Sequence, residues 1–421
     1  RNMNAASSSL VLNKLVRLKG RDFARVRGII AYGLGPLLGL ISGPILARAL
    51  GPEGRGHFAA IMQPISVAAA VASVGIPTAV TYFIAKSYNR KHTLSIAMWI
   101  CLPVALSTYF CMAWYATIVS ASQGIGVVLL WVAWTAIIAS AFVQILRAYW
   151  QGLGNWKRLD WERAVFAILR FLGVCAVAAV GISTAGPYAV AALSAFALAA
   201  IILYIPRRNL SAASTTVPQT RQVLRYSLSA SIGTIAIVAS SRLDQIVLPA
   251  ATTSVQLGYY AVAVTVAEVP MIFGVLAARN ILQSAASGLS LRRCVAEVRT
   301  YIAAGLVTCA IAALISPVAV PLLFGEDFAA SVLSVQILAL CSAFSIVTMP
   351  AISLISGLGF PLISSVLPLS GGLTTVVLFV AFWDSIDSAS AATIALVSQA
   401  VALSVGLFAV TLVKNRKVSK I

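Results

Sequence analysis

Lys86-Ser-Tyr-Asn-Arg90-Lys91 leads, through His92 and Thr93, into Leu94-Ser-Ile-Ala-Met-Trp-Ile-Cys-Leu-Pro-Val-Ala-Leu-Ser-Thr-Tyr-Phe-Cys-Met-Ala-Trp-Tyr-Ala116. The first stretch is a knot of cations. The second carries no charge at all. A helix of about 20 apolar residues crosses the hydrocarbon of a bilayer, and it satisfies its own backbone hydrogen bonds there. Basic flanks of such a span stay on the cytoplasmic side. The pairing of one cationic flank with one cation-poor flank recurs along the chain.

Apolar segments are predicted at roughly 28–50, 58–85, 94–116, 126–147, 164–183, 187–205, 225–248, 258–282, 300–323, 331–356, 360–382 and 389–413. Most of the 30 Lys and Arg residues fall at the ends of alternate segments. One side collects Lys14 to Arg27, Lys86 to Lys91, Arg147 to Arg163, Arg207 to Arg225, Arg279 to Arg299, and Lys414 to Lys420. The turns on the other side carry Glu53, Glu326, Asp327, Asp384 and Asp387. The pattern predicts a multi-pass protein of the cell (inner) membrane with both termini cytoplasmic. The basic segment 1–27 lacks the layout of a signal peptide. It is expected to lie as a cytoplasmic interfacial helix.

Composition agrees. The chain of 421 residues is 60% apolar and 10% charged, with a mean hydropathy of +0.96, against about 25% charged residues in soluble domains. The net charge of +19 reads as cations meeting anionic headgroups, and no basic soluble module suggests nucleic acid. Five of the six cysteines lie inside apolar segments and none forms a CxxC pair, so they read as packing residues. No metal site or cofactor is expected. No nucleophile–base set or phosphate-binding loop is recognisable, which argues against an enzyme.

The two halves look related. Gly56-His-Phe58 opens the second segment and Gly258-Tyr-Tyr260 the eighth, 202 residues on. Gly152-Leu-Gly154 follows the fourth and Gly357-Leu-Gly359 the tenth. Six spans per repeat is an even number, so the repeats are parallel, a layout that suits two lobes rocking about a central cavity. The expected organisation is a lobe at 28–205, a cytoplasmic linker at 206–224, a second lobe at 225–413 and a basic cytoplasmic tail at 414–421. The linker contains Ser211-Ala-Ala-Ser-Thr-Thr-Val-Pro218.

Several stretches resemble one family. Leu46-Ala-Arg-Ala-Leu-Gly-Pro-Glu-Gly-Arg-Gly-His-Phe58 resembles the first periplasmic turn of Wzx-type polysaccharide (O-antigen) flippases. These belong to the multidrug/oligosaccharidyl-lipid/polysaccharide (MOP) exporter superfamily. Val74-Gly-Ile-Pro77 with Tyr82-Phe-Ile-Ala-Lys86 is similar to the end of their second helix. Tyr149-Trp-Gln-Gly-Leu-Gly-Asn155 is similar to the turn after the fourth. Arg242-Leu-Asp-Gln245 with Leu257-Gly-Tyr-Tyr-Ala261, and Leu322-Leu-Phe-Gly-Glu-Asp-Phe328 with Gln336-Ile-Leu-Ala339, follow in family order. The resemblance implies a V-shaped, all-α transporter of about 12 transmembrane helices in two six-helix lobes. It would carry a polyprenyl-diphosphate-linked oligosaccharide to the outer leaflet by alternating access. Glycosyltransferases and a polysaccharide polymerase or ligase would be its partners. A lipid II flippase and a cation-coupled multidrug exporter of the same superfamily are the alternatives.

Six ionisable positions need explanation: Arg48, Arg170, Arg242, Asp244, Glu268 and Arg279. Charges within the bilayer face a bundle interior or a watery cavity. Arginine offers a fixed fork of donors matched to phosphate, so Arg48, Arg170 and Arg242 are expected to form a cationic cavity. For Arg48 snorkelling to the interface is the competing reading, and for Arg279 the favoured one. Asp244 and Glu268 are candidates for proton or sodium coupling, or else structural partners of Arg242 or Arg279. Ser227, Ser231, Thr234, Ser241 and Gln245 form a polar stripe on the seventh segment. It reads either as cavity wall or as helix packing. Gly33, Gly35, Pro36, Gly39, Gly43 and Pro44 crowd the first segment, which predicts a bending helix there; Pro64, Pro77 and Pro270 are expected to interrupt the second and eighth.

Overall fold

The computed structural model describes residues 2–73, 75–206, 216–286, 291–358 and 360–418. These residues form helices and short turns, with no strand among them. The first helix, α1 (Asn2–Ser73), is two arms joined at Gly51, which has φ 67° and ψ 179°. Pro52 disfavours helical backbone at the residue before it, glycine accepts the left-handed value, and proline then starts the next helix. The same device recurs at Gly75 (φ 64°), where α2 (Ile76–Ala85) begins with Pro77 in its first turn. Next come α3 (Arg90–Gln123), α4 (Val127–Trp134), α5 (Ala136–Gly152), α6 (Trp156–Ala179) and α7 (Ala185–Ala200). After residues 207–215 the chain continues as α8 (Thr220–Arg242), α9 (Asp244–Ala251), α10 (Ser254–Ala286), α11 (Leu291–Phe324), α12 (Val332–Gly357), α13 (Pro361–Ala381) and α14 (Ser388–Val418).

Counting each arm of α1 separately, and joining its second arm with α2, α4 with α5 and α8 with α9, gives twelve rods at the predicted positions. Among the described residues nine segments are long and apolar enough to cross a membrane. One of these, Gly33–Ser73, holds both arms of α1. Of the other two rods, α6 carries Lys157, Arg158, Asp160, Glu162, Arg163 and Arg170, too many charges for a plain apolar span, and α8 lies partly outside the residues whose side chains are described. The outer surface is apolar, with Trp99, Phe110, Trp114 and Leu314 largely exposed. Exposed apolar cladding on this scale is the signature of a lipid-facing wall.

Several expected boundaries move. The backbone of 2–27 is helical and runs without a break into the first rod, so the basic segment and that rod form one helix. The expected linker 206–224 is shorter, because α8 starts at Thr220, where Gln219 and Gln222 form a reciprocal capping box. Residues 33–44 keep helical backbone throughout, and the break in α1 falls at Gly51. Pro64 and Pro270 lie within continuous helices, whereas Pro77 follows the true break at Gly75.

The related glycines of the two halves meet each other. A methyl group added to Gly56 would lie 1.8 Å from the Ser254 carbonyl oxygen, and one on Gly258 would lie 2.0 Å from the Pro52 carbonyl oxygen. Pro52 and Ser254 are themselves 202 residues apart, the same offset as Gly56 and Gly258. Residue i therefore touches j' while j touches i', the mark of contact on a two-fold axis. The duplication read from the sequence is thus present as a packing relation. Near this crossing Gln123 Nε2 donates to the carbonyls of Pro249 (2.9 Å) and Thr252 (2.7 Å), and Ser122 Oγ donates to Pro249 (2.7 Å). These bonds tie α3 to α9 at the acidic end of the molecule.

At the basic end the second arm of α1, with α2, crosses α8. A methyl on Gly75 would sit 2.3 Å from the Ser227 carbonyl oxygen, and the Tyr82 and Tyr226 rings stack at 4.6 Å. Elsewhere Trp134 Nε1 donates to Ile61 O and Trp150 Nε1 to Leu203 O, both at 2.9 Å, so even large apolar residues close their polar valences.

The glycine crossing makes a direct prediction. Gly56→Ala puts a methyl where no rotamer change can relieve it, so the helices must part. In that variant an added Leu257→Cys, at a position fully buried here, should react with a water-soluble maleimide above the level of the native cysteines. Unchanged labelling with normal folding would contradict the crossing.

A cationic cavity between the two sets of helices

Between the crossings lies a cavity of about 440 Å³. Its walls come from the second arm of α1, from α5, α6 and α7, and from α8 to α10. A slot of about 330 Å³ runs beside it between the first arm of α1, α6 and α10. Arg55, Arg170 and Glu268 line both spaces. Gly35, Gly39 and Gly43 line the slot at four-residue spacing on one face of the first arm. There the missing side chains leave room, since a methyl on Gly35 or Gly39 would meet nothing within 4 Å.

Three guanidiniums, Arg55, Arg170 and Arg242, line the main cavity against one carboxylate from Glu268. Arg242 Nη1 lies 3.3 Å from Glu268 Oε1, with side chains 47% and 41% exposed. An ion pair so open to water is worth only about 0–1 kcal/mol, so a ligand can exchange for it cheaply. Arg147 also lines the cavity but is bound differently. Its Nη2 and Nε meet both oxygens of Glu162 at 2.6 and 3.1 Å, and Glu162 is fully buried. That bidentate pair neutralises Arg147 and leaves three arginines against the single Glu268 carboxylate, a net excess of two positive charges.

Arg55 went unnoticed in the sequence. It is 9% exposed, donates from Nη2 to Thr265 Oγ1 at 3.2 Å, and stands over the Phe58 ring at 5.6 Å. The turn Gly-Pro-Glu-Gly-Arg reads as a solvent loop, but helix resumes at 52 and Arg55 falls within it. The signal was its spacing to Phe58, Met62 and Ser66, which share the cavity and one helical face. Gln63, Ser140 and Gln144 also line it and were missed because they sit singly in apolar stretches.

The expected site residues separate into groups. Arg170, Arg242, Glu268 and Gln245 come together in the main cavity. Arg48 lies apart, donating from Nε to the Leu323 carbonyl at 2.9 Å and from Nη2 to that of Leu322. It caps carbonyls at the end of α11, where a cation is favoured. Arg279 is exposed. Asp244 accepts a 2.5 Å hydrogen bond from the Tyr260 hydroxyl in an adjoining chamber of about 240 Å³ that also touches Arg242 and Glu268. Ser227 and Ser231 are buried at the Gly75 crossing, which is a packing position. The side chains of Thr234 and Ser241 lie outside the described residues. No group of three His, Cys, Asp or Glu able to hold a metal occurs among the described residues.

The sequence profile of one family, described as polysaccharide biosynthesis protein, matches residues 28–282. That is more than half of the chain. The chain belongs to this family. No curated protein sequence matches it significantly. Among solved structures, the fold is similar to that of the lipid II flippase MurJ in an inward closed conformation. The TM-score is 0.72 at 13% identity, covering 92% of this chain and 87% of that one. It is also similar to an inward-facing multidrug resistance MATE family transporter of the MOP superfamily. There the TM-score is 0.70 at 14% identity, over 94% of this chain and 100% of that one. An outward-facing MATE family structure matches at a TM-score of 0.55 and 15% identity, over 93% and 94%. This member of the polysaccharide biosynthesis family is therefore a multi-pass membrane protein with the MOP transporter fold.

The two arginine pairs should respond differently to truncation. Arg147→Ala strands the Glu162 charge and should cost about 3–5 kcal/mol of stability. Arg242→Ala should cost about 1 kcal/mol or less. Thermal unfolding of the purified variants in one detergent compares them; equal losses would contradict this assignment.

Proposed function

We propose that this protein is a flippase for a polyprenyl-diphosphate-linked oligosaccharide, moving it from the cytoplasmic to the outer leaflet by alternating access. The observation that carries the reading is the excess of guanidinium over carboxylate in a cavity set among membrane-crossing rods. A lipid diphosphate must bring its anionic oxygens through the hydrocarbon, and arginine forks replace the lost water with charge-assisted bonds. Arg170 and Arg242 hold the phosphates in this scheme, and Gln63, Ser66, Ser140 and Gln144 meet sugar hydroxyls. The slot beside the glycine face of the first arm leaves a path for the lipid tail. The basic end is cytoplasmic, with both termini there and the membrane the inner (cytoplasmic) one. The two six-rod sets, 28–205 and 225–413, rock as lobes. Glycosyltransferases supply the substrate, and a polymerase or ligase consumes it.

The family supports polysaccharide work, and the fold supports transport. Lipid II carries the same diphosphate, so the cavity chemistry serves that alternative equally. A cationic drug is disfavoured by three arginines facing one carboxylate. Glu268, loosely paired to Arg242, and Asp244, behind it in the adjoining chamber, are the groups through which a proton or sodium ion would act.

Arg170→Ala and Arg242→Ala should each lower transport at least tenfold, read as surface polysaccharide in cells with normal membrane levels of the variant. Normal surface polysaccharide from both would refute the phosphate-binding role. Glu268→Gln should remove the pH or sodium dependence of transport; an unchanged dependence would exclude coupling through Glu268.

A further inference from the structure

Arg55 stands where the cavity meets the closed acidic end. Its chain neighbour Gly56 packs backbone to backbone against Ser254. Its partner Thr265 lies seven residues beyond Gly258 on α10, about 10 Å deeper along the helix. The Arg55–Thr265 bond therefore joins the two halves of the molecule just beneath the crossing.

The bond is poorly matched to the charge it holds. Thr265 is neutral, and its own proton is committed to the Ala261 carbonyl at 2.8 Å. It offers Arg55 one lone-pair contact. Arg55 Nε is buried and has no hydrogen-bond partner among the described residues. The carboxylate on the next turn of α10, Glu268, forms its close contact with Arg242 instead. A guanidinium presents five donors in a fixed fork, and a buried donor left unpaired carries a desolvation cost. A phosphate oxyanion satisfies such a fork bidentately and more strongly than a hydroxyl.

We propose that Arg55 is a ligand-released strut: a lipid-borne phosphate reaching the closed end takes Arg55 from Thr265, and loss of that bond frees the Gly56–Gly258 crossing to open. The proposal rests on the flippase reading and adds a coupling step to it. A ligand shifts a conformational equilibrium only by its differential affinity for the two states. Here the difference is the donor set of Arg55, held in the closed state by a single bond to Thr265 and fully available once the halves part. An uncharged lipid has no such leverage.

The test uses the full chain in nanodiscs, with farnesyl diphosphate as the probe and farnesol as its uncharged counterpart. Two readouts are taken: probe affinity, and maleimide labelling of Leu257→Cys above the native cysteine background. Diphosphate should raise labelling severalfold, and farnesol should not. Thr265→Val should raise labelling without probe while binding the diphosphate as tightly as the unmodified chain or severalfold tighter. Arg55→Ala should also raise labelling without probe, but lose about tenfold in affinity and respond no further. Arg55→Lys keeps the charge without the fork and should fall between, which guards against a folding defect in Arg55→Ala. A purely structural Arg55 predicts the same affinity for Arg55→Ala and Thr265→Val, and that result would overturn the strut. A response abolished by Arg170→Ala and intact in Arg55→Ala would remove the strut alone. No diphosphate response in the unmodified chain would remove the flippase reading with it.

Discussion

Two backbones touch at Gly56 and Gly258, and the cavity exists because they do. The contact closes the acidic end, so the space between the two sets of rods becomes a chamber rather than a channel. Only glycine permits this approach, since any Cβ would overlap a carbonyl oxygen of the opposite helix. The contact lies on the axis relating the two halves, so one glycine position duplicated with the repeat supplies both sides. A seal made of bare backbone has few side chains to rearrange. Its strength comes from the bonds around it, chiefly Gln123 to Pro249 and Thr252.

The arginines inside this closure form a hierarchy set by burial and partner. Arg147 is locked to a fully buried carboxylate and belongs to the scaffold. Arg242 holds Glu268 in a half-exposed pair that water already weakens. Arg55 has only a hydroxyl. Positive charge in the chamber is thus graded from satisfied to under-satisfied. The under-satisfied members face the space between the halves, where a ligand would have to pass.

Much of this was legible in the sequence. Span number and order followed from hydrophobic length and the alternation of cations, because a bilayer imposes both. The duplication was legible from Gly56 and Gly258, although their mutual contact was not, since spacing along a chain says nothing of which repeats face each other. Arg170 and Arg242 were legible because a charge in hydrocarbon demands an enclosure. Arg55 was hidden by a break at Gly51 that turns an apparent loop into the first turn of a helix. The polar stripe of α8 left wall and packing open; Ser227 and Ser231 pack where Gly75 comes too close for side chains to intervene, while Gln245 faces the cavity. Glycine density in the first rod did not mark the backbone break, which falls at Gly51. Those glycines leave room beside the helix, and the chain turns where Pro52 forbids helix before it.

The central claim is that the chamber carries a lipid-linked diphosphate sugar across the membrane. The most direct measurement is leaflet-resolved analysis of lipid-linked saccharides in cells depleted of the protein and of any redundant transporter. A polyprenyl-diphosphate oligosaccharide accumulating in the cytoplasmic leaflet, with loss of its outer-leaflet pool, is the predicted result. An unchanged distribution between leaflets would contradict the account.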